Sequence, residues 1–389
     1  MVVAYYTSTN FLDVVLETIQ SIKARVELHV FIEITQASKN TTIINVASLE
    51  GFNDIETPER LLGKEKWGEL KDYFTGVASV HFLVHKDVRS LSVKALRQAY
   101  NFGKFLKRYN IDIFHFDTIS PRAIGLYPYL RSKKVFITLH DPVPHSGENN
   151  WREHIPNFVF YRMADGYFFY SRFAHDQFRQ YYKKIKVPFY IIKLQPYSFI
   201  TQFLSKKKPV GNSILFFGRL SYYKGIDLLL EAIPTVLEQY PDEKFIIAGK
   251  PAYGYKVEGE AMEKHKQNIE IILRYLSIEE LVQQIQHAKF IVCPYRDATQ
   301  SGVLMTCLAT GKVVIATNVG SFPEYIKDNV NGLLAEPDSG SIAKKILEAL
   351  NDNRYAAIEE SLITTYSEEV GNKNGETILQ AYARRAKEK

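Results

Sequence analysis

Short apolar runs separated by helical patterns recur along the whole chain. In the first half the runs are Val2–Tyr6, Leu28–Ile34, Thr42–Ala47, Val80–Val84, Ile111–Phe116, Val135–Leu139, Tyr167–Tyr170 and Phe189–Ile192, and each reads as a strand. Asp13–Ala24 and Leu91–Tyr109 carry helical spacing between them. Strand and helix signals that alternate in this way predict βαβ units and a parallel sheet.

The pattern breaks at Phe203–Ser213, "FLSKKKPVGNS", which has no periodicity and reads as a linker. It then restarts: strands at Ser213–Phe217, Lys244–Ala248, Ile269–Leu273, Phe290–Pro294 and Val313–Thr317, helices at Gly225–Tyr240 and Ile278–His287. The expected class is therefore α/β, with two doubly wound Rossmann-like domains over residues 1–205 and 206–370. The tail, about 371–389, reads as a last exposed helix that packs back on the first domain. Sheets of this kind bind ligands at the carboxyl ends of their strands, so two of them joined by a hinge predict a cleft.

The bulk properties narrow the picture. A chain of 389 residues suits two domains of ordinary size, and 46% hydrophobic with 24% charged residues excludes a disordered chain. Two cysteines, Cys293 and Cys307, make no disulfide framework and stand in no metal-binding spacing, which suits a reducing, cytoplasmic compartment. The opening "MVVAYYTSTNFLDVV" lacks a basic start before a long apolar run, so no signal peptide is expected, and no apolar run is long enough to span a membrane. Charge is uneven. Residues 1–208 hold 29 Lys and Arg against 19 Asp and Glu, and residues 209–389 hold 20 against 24. One basic half suggests an anionic partner there (a membrane surface, a phospholipid-linked substrate or a nucleic acid), or simply a solvated basic surface. The helical stretch "SVKALRQAYNFGKFLKRYN", with Lys94, Arg97, Lys104, Lys107 and Arg108, is the strongest basic element. Together with Lys183, Lys184 and Lys186 it offers a surface for anionic headgroups.

Three stretches carry candidate chemistry. In "ILFFGRLSYYKGIDLLLEAI" a strand ends at Phe217, Gly218 permits a tight turn, and Arg219 and Lys224 stand where strand meets helix. Two cations there can clamp a diphosphate, Arg by its fork and Lys as a point charge, though each also reads as a surface charge. In "CPYRDATQSGVLMTCLATGKVVI", Thr299, Gln300, Ser301 and Gly302 precede a helix starting near Val303. Hydroxyls and backbone N–H groups at a helix start favour an anion, while Ser301 alone reads equally as an N-cap. In "VGSFPEYIKDNVNGLLAEPDS", Ser321 and Glu324 have capping-box spacing, and Asn331-Gly332 reads as a turn before a strand.

Taken in order, Gly-Arg…Lys-Gly followed by "FIVCPY…TQSGV…ATGKVVIAT…GSFPE…NGLLAEP" resembles the donor-binding domain of family 4 glycosyltransferases, retaining enzymes of the two-domain GT-B fold. The resemblance covers about 213–350 and is weaker before residue 200. It implies that Gly218, Arg219 and Lys224 bind the diphosphate of a nucleotide-sugar, UDP being commonest, with Arg219 and Lys224 stabilising it as it leaves. Thr299, Gln300, Ser301, Gly302 and Val303 would serve the same phosphates. The match of "VFITLHDPVPHSG" implies that His140 stands near the sugar, with Asp141 beside it on the acceptor side. The implied acceptor is a glycan or lipid-linked glycan of surface polysaccharide synthesis, made by a cytoplasmic enzyme in peripheral contact with anionic membrane.

Two departures qualify the resemblance. Many members carry two glutamates eight residues apart, at positions that here are Ala298 and Thr306. Thr306 is expected to take the ribose contact as a hydroxyl, and Asp297 is one residue out of place. The usual N-terminal Gly-Gly loop is replaced by "YYTSTNFLDVV", where Thr7, Ser8, Thr9 and Asn10 become acceptor-side candidates. No Asp-x-Asp follows a strand end, and Arg and Lys already supply positive charge, so no catalytic metal or other cofactor is expected. Three alternatives stay open: a non-catalytic partner protein of GT-B fold, a sugar-nucleotide epimerase on the same fold, and a nucleic-acid binder. The last lacks any recognisable nucleic-acid motif, so no nucleic-acid partner is expected.

Overall fold

The computed structural model describes residues 1–143, 159–205, 211–362 and 368–387. Two compact units emerge. One comprises residues 1–142 and 159–193 with the C-terminal helix Glu368–Lys387; the other holds the described residues from Leu194 to 362. The linker cations Lys206, Lys207 and Lys208 lie outside the described residues, and residues 194–205, expected in the first domain, group with the second unit.

The first unit is built on eight strands: β1 Val2–Ser8, β2 Glu27–Thr35, β3 Ile55–Glu56, β4 Ser79–His85, β5 Ile113–Phe116, β6 Lys134–Leu139, β7 Gly166–Phe169 and β8 Phe189–Ile191. Their order is β3-β4-β2-β1-β5-β6-β7-β8, parallel throughout except for β3, which runs antiparallel to β4. Both faces of such a sheet are covered, so its strands are continuous apolar runs rather than alternating ones. The β1–β2 register, Val3 opposite Leu28 through Thr7 opposite Ile32, is buried at nearly every position. Phe31, Phe102, Phe114, Phe116 and Phe160 fill one side. The helix Glu368–Lys387 closes the other: Tyr382 is fully buried with its hydroxyl on His115 Nδ1, and Asn374 bonds both backbone groups of Lys193.

Thr42–Ala47 is not a strand. Ile43, Ile44 and Val46 are buried as expected, but the Ile44 amide donates to the Thr41 hydroxyl and the Thr41 amide to the Ile44 carbonyl, which turns the chain back on itself. The short edge strand β3 gave no signal in the sequence.

The second unit has six parallel strands, β9 Ser213–Phe217, β10 Phe245–Ala248, β11 Ile269–Ile272, β12 Ala288–Cys293, β13 Val314–Thr317 and β14 Leu333–Ala335, in the order β11-β10-β9-β12-β13-β14. From β9 the chain builds outward through β10 and β11, then crosses to β12 on the other side. That reversal is the topological switch point, and the carboxyl ends of β9 and β12 flank it.

Candidate functional site

Both phosphate-type motifs meet at this switch point. After β9 the chain passes Gly218 and the exposed Arg219 into a tight turn, Tyr222–Lys224. Gly225 then caps the helix Ile226–Gln239 in the left-handed region at φ 63°. A Cβ at Gly225 would stand 1.9 Å from the Pro294 carbonyl oxygen, so only glycine lets this helix start rest against the end of β12. The close approach sets Lys224 beside Tyr295: its ammonium lies 3.7 Å from the Tyr295 ring centroid and 4.9 Å from that of Tyr223. Lys224 is buried, and Tyr295 is fully buried beneath it. The Arg219 guanidinium lies 5.8 Å from the Tyr223 ring. Two cations thus share one aromatic platform, where ring faces hold them by cation–π attraction.

The loop after β12 completes the site. Arg296 forks onto Asp227 at 2.8 and 2.6 Å, tying the loop to the helix opened by Gly225, and the pair holds the Asp227 carboxyl below its usual range. Thr299 and Ser301 are buried; Gln300, Gly302 and Val303 are half-buried. The Leu304 amide donates to Ser301 Oγ at 3.2 Å, so Ser301 is the N-cap of the helix Gly302–Ala309. The positive end of that helix therefore opens beside the Lys224 platform. Thr306 is buried on the second turn of the same helix.

Ala298, at the first of the missing carboxylate positions, is buried beneath the turn that follows β13. Its carbonyl accepts from the Ser321 amide at 2.8 Å, and a Cβ on Gly320, at φ 57°, would come within 2.0 Å of that oxygen. The capping box expected at Ser321 and Glu324 does not form. Ser321 makes no side-chain cap, and the Glu324 amide instead donates to its carbonyl at 2.9 Å. Phe322-Pro323 starts the short helix without it.

The first unit has a switch point of its own between β1 and β5, and a buried polar cluster occupies it. Asp117, just past β5, has no exposed surface and accepts from the Tyr5 hydroxyl at 3.0 Å and the Thr7 hydroxyl at 3.1 Å. His140 Nε2 lies 3.1 Å from its Oδ2. Phe11 packs against the imidazole in a tilted arrangement, with centroids 4.2 Å apart. Burial pushes the nearby Asp13 carboxyl up to about 6, against the lowering effects of the Val14 amide and His140. Thr7 and Thr9 are spent on structure, Thr9 donating to the Ser38 carbonyl at 2.6 Å; Ser8 is buried, while Asn10 and Asp141 are exposed. Asp117 and Tyr295 were not singled out in the sequence, where each is one polar or aromatic residue after an apolar strand.

Both thiols are buried, and burial pushes Cys293 up to about 12, which leaves it inert as a nucleophile. Among the described residues, no three His, Cys, Asp or Glu side chains group closely enough to hold a metal ion.

Residues 211–352 match the family model of glycosyl transferases group 1. The chain aligns with an uncharacterized glycosyltransferase of Methanocaldococcus jannaschii, 32% identical over 139 residues, 36% of this chain and 38% of that protein. It also aligns with a D-inositol 3-phosphate glycosyltransferase of Corynebacterium urealyticum, 30% identical over 154 residues, 37% of this chain and 36% of the other. Each alignment spans little more than a third of the relative's own length. The fold extends further. A glycosyltransferase from Rickettsia africae superposes over 100% of this chain and 99% of its own at a TM-score of 0.65 and 17% identity. Anabaena HepE, solved in complex with UDP, superposes over 98% of this chain and 100% of its own at a TM-score of 0.63 and 14% identity. Residues 211–352 are thus similar to the glycosyl transferases group 1, and the chain that carries them has the GT-B fold of two Rossmann-like domains.

Proposed function

We propose that the protein is a retaining glycosyltransferase that moves a sugar from a nucleotide diphosphate, UDP for preference, to a glycan or lipid-linked glycan of surface polysaccharide synthesis. The observation that carries this reading is the pairing of Arg219 and the ring-supported Lys224 with the N-terminus of the helix Gly302–Ala309 at one switch point. Charge develops on the phosphate oxygen as the glycosidic bond breaks, and fixed cations act on that transition state. Thr299 to Val303 offer hydroxyl and amide donors to the same phosphates, and Thr306 serves the ribose. The acceptor hydroxyl attacks the anomeric carbon on the face from which the phosphate departs and passes its proton to the departing phosphate oxygen. This needs no protein nucleophile. Arg219 and Lys224 supply the positive charge, so we assign no metal or cofactor to the step. In the first unit His140, tied to Asp117, is the group assigned to the sugar. The acceptor's lipid links the reaction to a membrane surface.

The test is turnover. The protein is incubated with UDP-, GDP- and ADP-sugars and a lipid-linked acceptor extract, and nucleoside diphosphate release is followed together with the anomeric configuration of the product. Release from one donor class with retention supports the reading. Release from none favours the second reading, a non-catalytic protein on the same fold, which the replacement of both carboxylates at Ala298 and Thr306 keeps open.

A further inference from the structure

The stretch from Lys86 to Arg108 presents an apolar and cationic surface that the donor site does not use. Val88 and Leu91, in the loop after β4, are 78% and 46% exposed. On the helix Val93–Leu106 that follows, Val93, Leu96 and Tyr100 are 83%, 37% and 49% exposed. At about 100° per residue Val93 and Tyr100 fall on the face opposite the buried stripe Ala95, Ala99, Phe102 and Leu106, with Leu96 at its border. The helix is held in that orientation by close packing: a Cβ on Gly125 would stand 2.5 Å from the Leu96 carbonyl oxygen. Its outward face cannot turn into the core.

The charge around this patch has one sign. Lys86, Arg89, Lys94, Arg97, Lys104, Lys107 and Arg108 lie in the stretch against a single acid, Asp87, which accepts from the Ser92 hydroxyl at 2.7 Å and the Arg89 amide at 2.9 Å. The Lys104 ammonium lies 4.7 Å from the Tyr100 ring, an aromatic capped by a cation on the solvent side. Large apolar side chains held in water beside lysines and arginines fit the boundary between headgroups and acyl chains, where the apolar tips enter and the cations meet phosphate. We infer that Val88, Leu91, Val93, Leu96 and Tyr100, with Arg89, Lys94 and Arg97, form the face by which the protein docks on an anionic lipid bilayer. The loop Lys86–Ser92 follows the carboxyl end of β4, the same sheet edge that carries Asp117 and His140. Docking therefore presents that edge to the surface from which a lipid-linked acceptor comes; in this purpose, though not in its geometry, the inference rests on the proposed function.

The experiment is sedimentation of the full chain with vesicles of phosphatidylcholine, with and without phosphatidylglycerol. Two variants are compared with the wild type: Val88→Asp with Val93→Asp, and Arg89→Glu with Lys94→Glu and Arg97→Glu. All are checked for unchanged thermal melting and UDP binding, since none of these residues belongs to the donor site. The wild type should sediment with the anionic vesicles only. The charge variant should bind at least about a hundredfold more weakly, each cation near the surface being worth roughly fivefold. The apolar variant should lose at least about tenfold. Equal binding to neutral vesicles, no binding to anionic ones, or an apolar variant that binds like the wild type overturns the inference; the last result would mark a generic polyanion surface, as for an acidic protein or a nucleic acid. If vesicle binding holds while no nucleotide-sugar is turned over, docking stands and the transferase reading fails.

Discussion

The Lys224 ammonium stands 3.7 Å from the centroid of the buried Tyr295 ring, and the contact exists because Gly225 allows a helix start to touch the end of a neighbouring strand. Two ring faces, those of Tyr295 and Tyr223, replace part of the hydration that burial takes from the ammonium. Tyr295→Leu should therefore weaken UDP binding by about 5- to 30-fold, the range of a desolvated cation–π contact. Tyr295→Phe, which keeps the ring, should bind within about twofold of the wild type. Calorimetric titration of both variants decides; equal losses would mean that the hydroxyl, and not the ring, matters.

Gly225→Ala should cost more than the usual exchange of glycine in a left-handed position, because the new methyl meets the Pro294 carbonyl and not open space. A loss of at least about 3 kcal/mol in denaturant unfolding is expected, with an affinity for UDP that falls with it. Gly311, also at positive φ but with nothing near its Cβ, is the control: Gly311→Ala should lose only about 1 kcal/mol.

Lys312 of the "ATGK" stretch plays a structural part. It is buried, and its ammonium lies 3.2 Å from Glu359 and 2.5 Å from the Ala288 carbonyl. Lys312→Met leaves Glu359 as a buried charge without its cation and should lose about 3–5 kcal/mol. Lys312→Met combined with Glu359→Leu should recover most of it. Urea melts of the single and double variants test this, and a single variant as stable as the wild type would contradict it.

Asp13 gives the first unit a pH dependence. Burial raises its carboxyl from 3.8 to about 6, with His140 and Asp117 as its charged neighbours. A raised acid means that the folded state holds the proton more tightly than the unfolded one. The associated stability is fully present below about pH 4 and is lost as pH rises through about 6. Asp13→Asn should remove this slope, gaining up to about 3 kcal/mol relative to wild type at pH 7.5 and little at pH 4, by denaturant unfolding at the two pH values. A wild-type stability that rises over the same interval while the variant stays flat would contradict the assignment.

The second sheet was largely legible in the sequence. Ser213–Phe217 and Ile278–His287 fall where periodicity puts them, since fully buried strands and an amphipathic helix write their burial into residue type. Thr42–Ala47 misled because local hydrogen bonds at Thr41 overrode the same apolar signal. Arg219 and Lys224 were legible as strand-end cations, but Tyr295 was not, since its role arises from a contact between two segments 70 residues apart that only the Gly225 backbone creates. Asp117 was hidden for a similar reason: its partners Tyr5 and Thr7 come from β1 and His140 from the end of β6. Ala298 was legible as a departure from the glycosyltransferase pattern, but not as a packed position; Ala298→Glu would bury a carboxylate beneath Gly320 and should destabilise the fold without raising any activity.

The central claim, that Arg219 and Lys224 clamp a nucleoside diphosphate, is tested most directly by calorimetric titration of UDP, GDP and ADP in the presence of a chelator. The titrations are run on the wild type, Arg219→Ala and Lys224→Ala. The account predicts binding of one nucleotide, UDP, without added metal, and a loss of about tenfold or more in each variant. Tight UDP binding that survives both substitutions, or no binding of any nucleotide to the wild type at millimolar concentration, would contradict it.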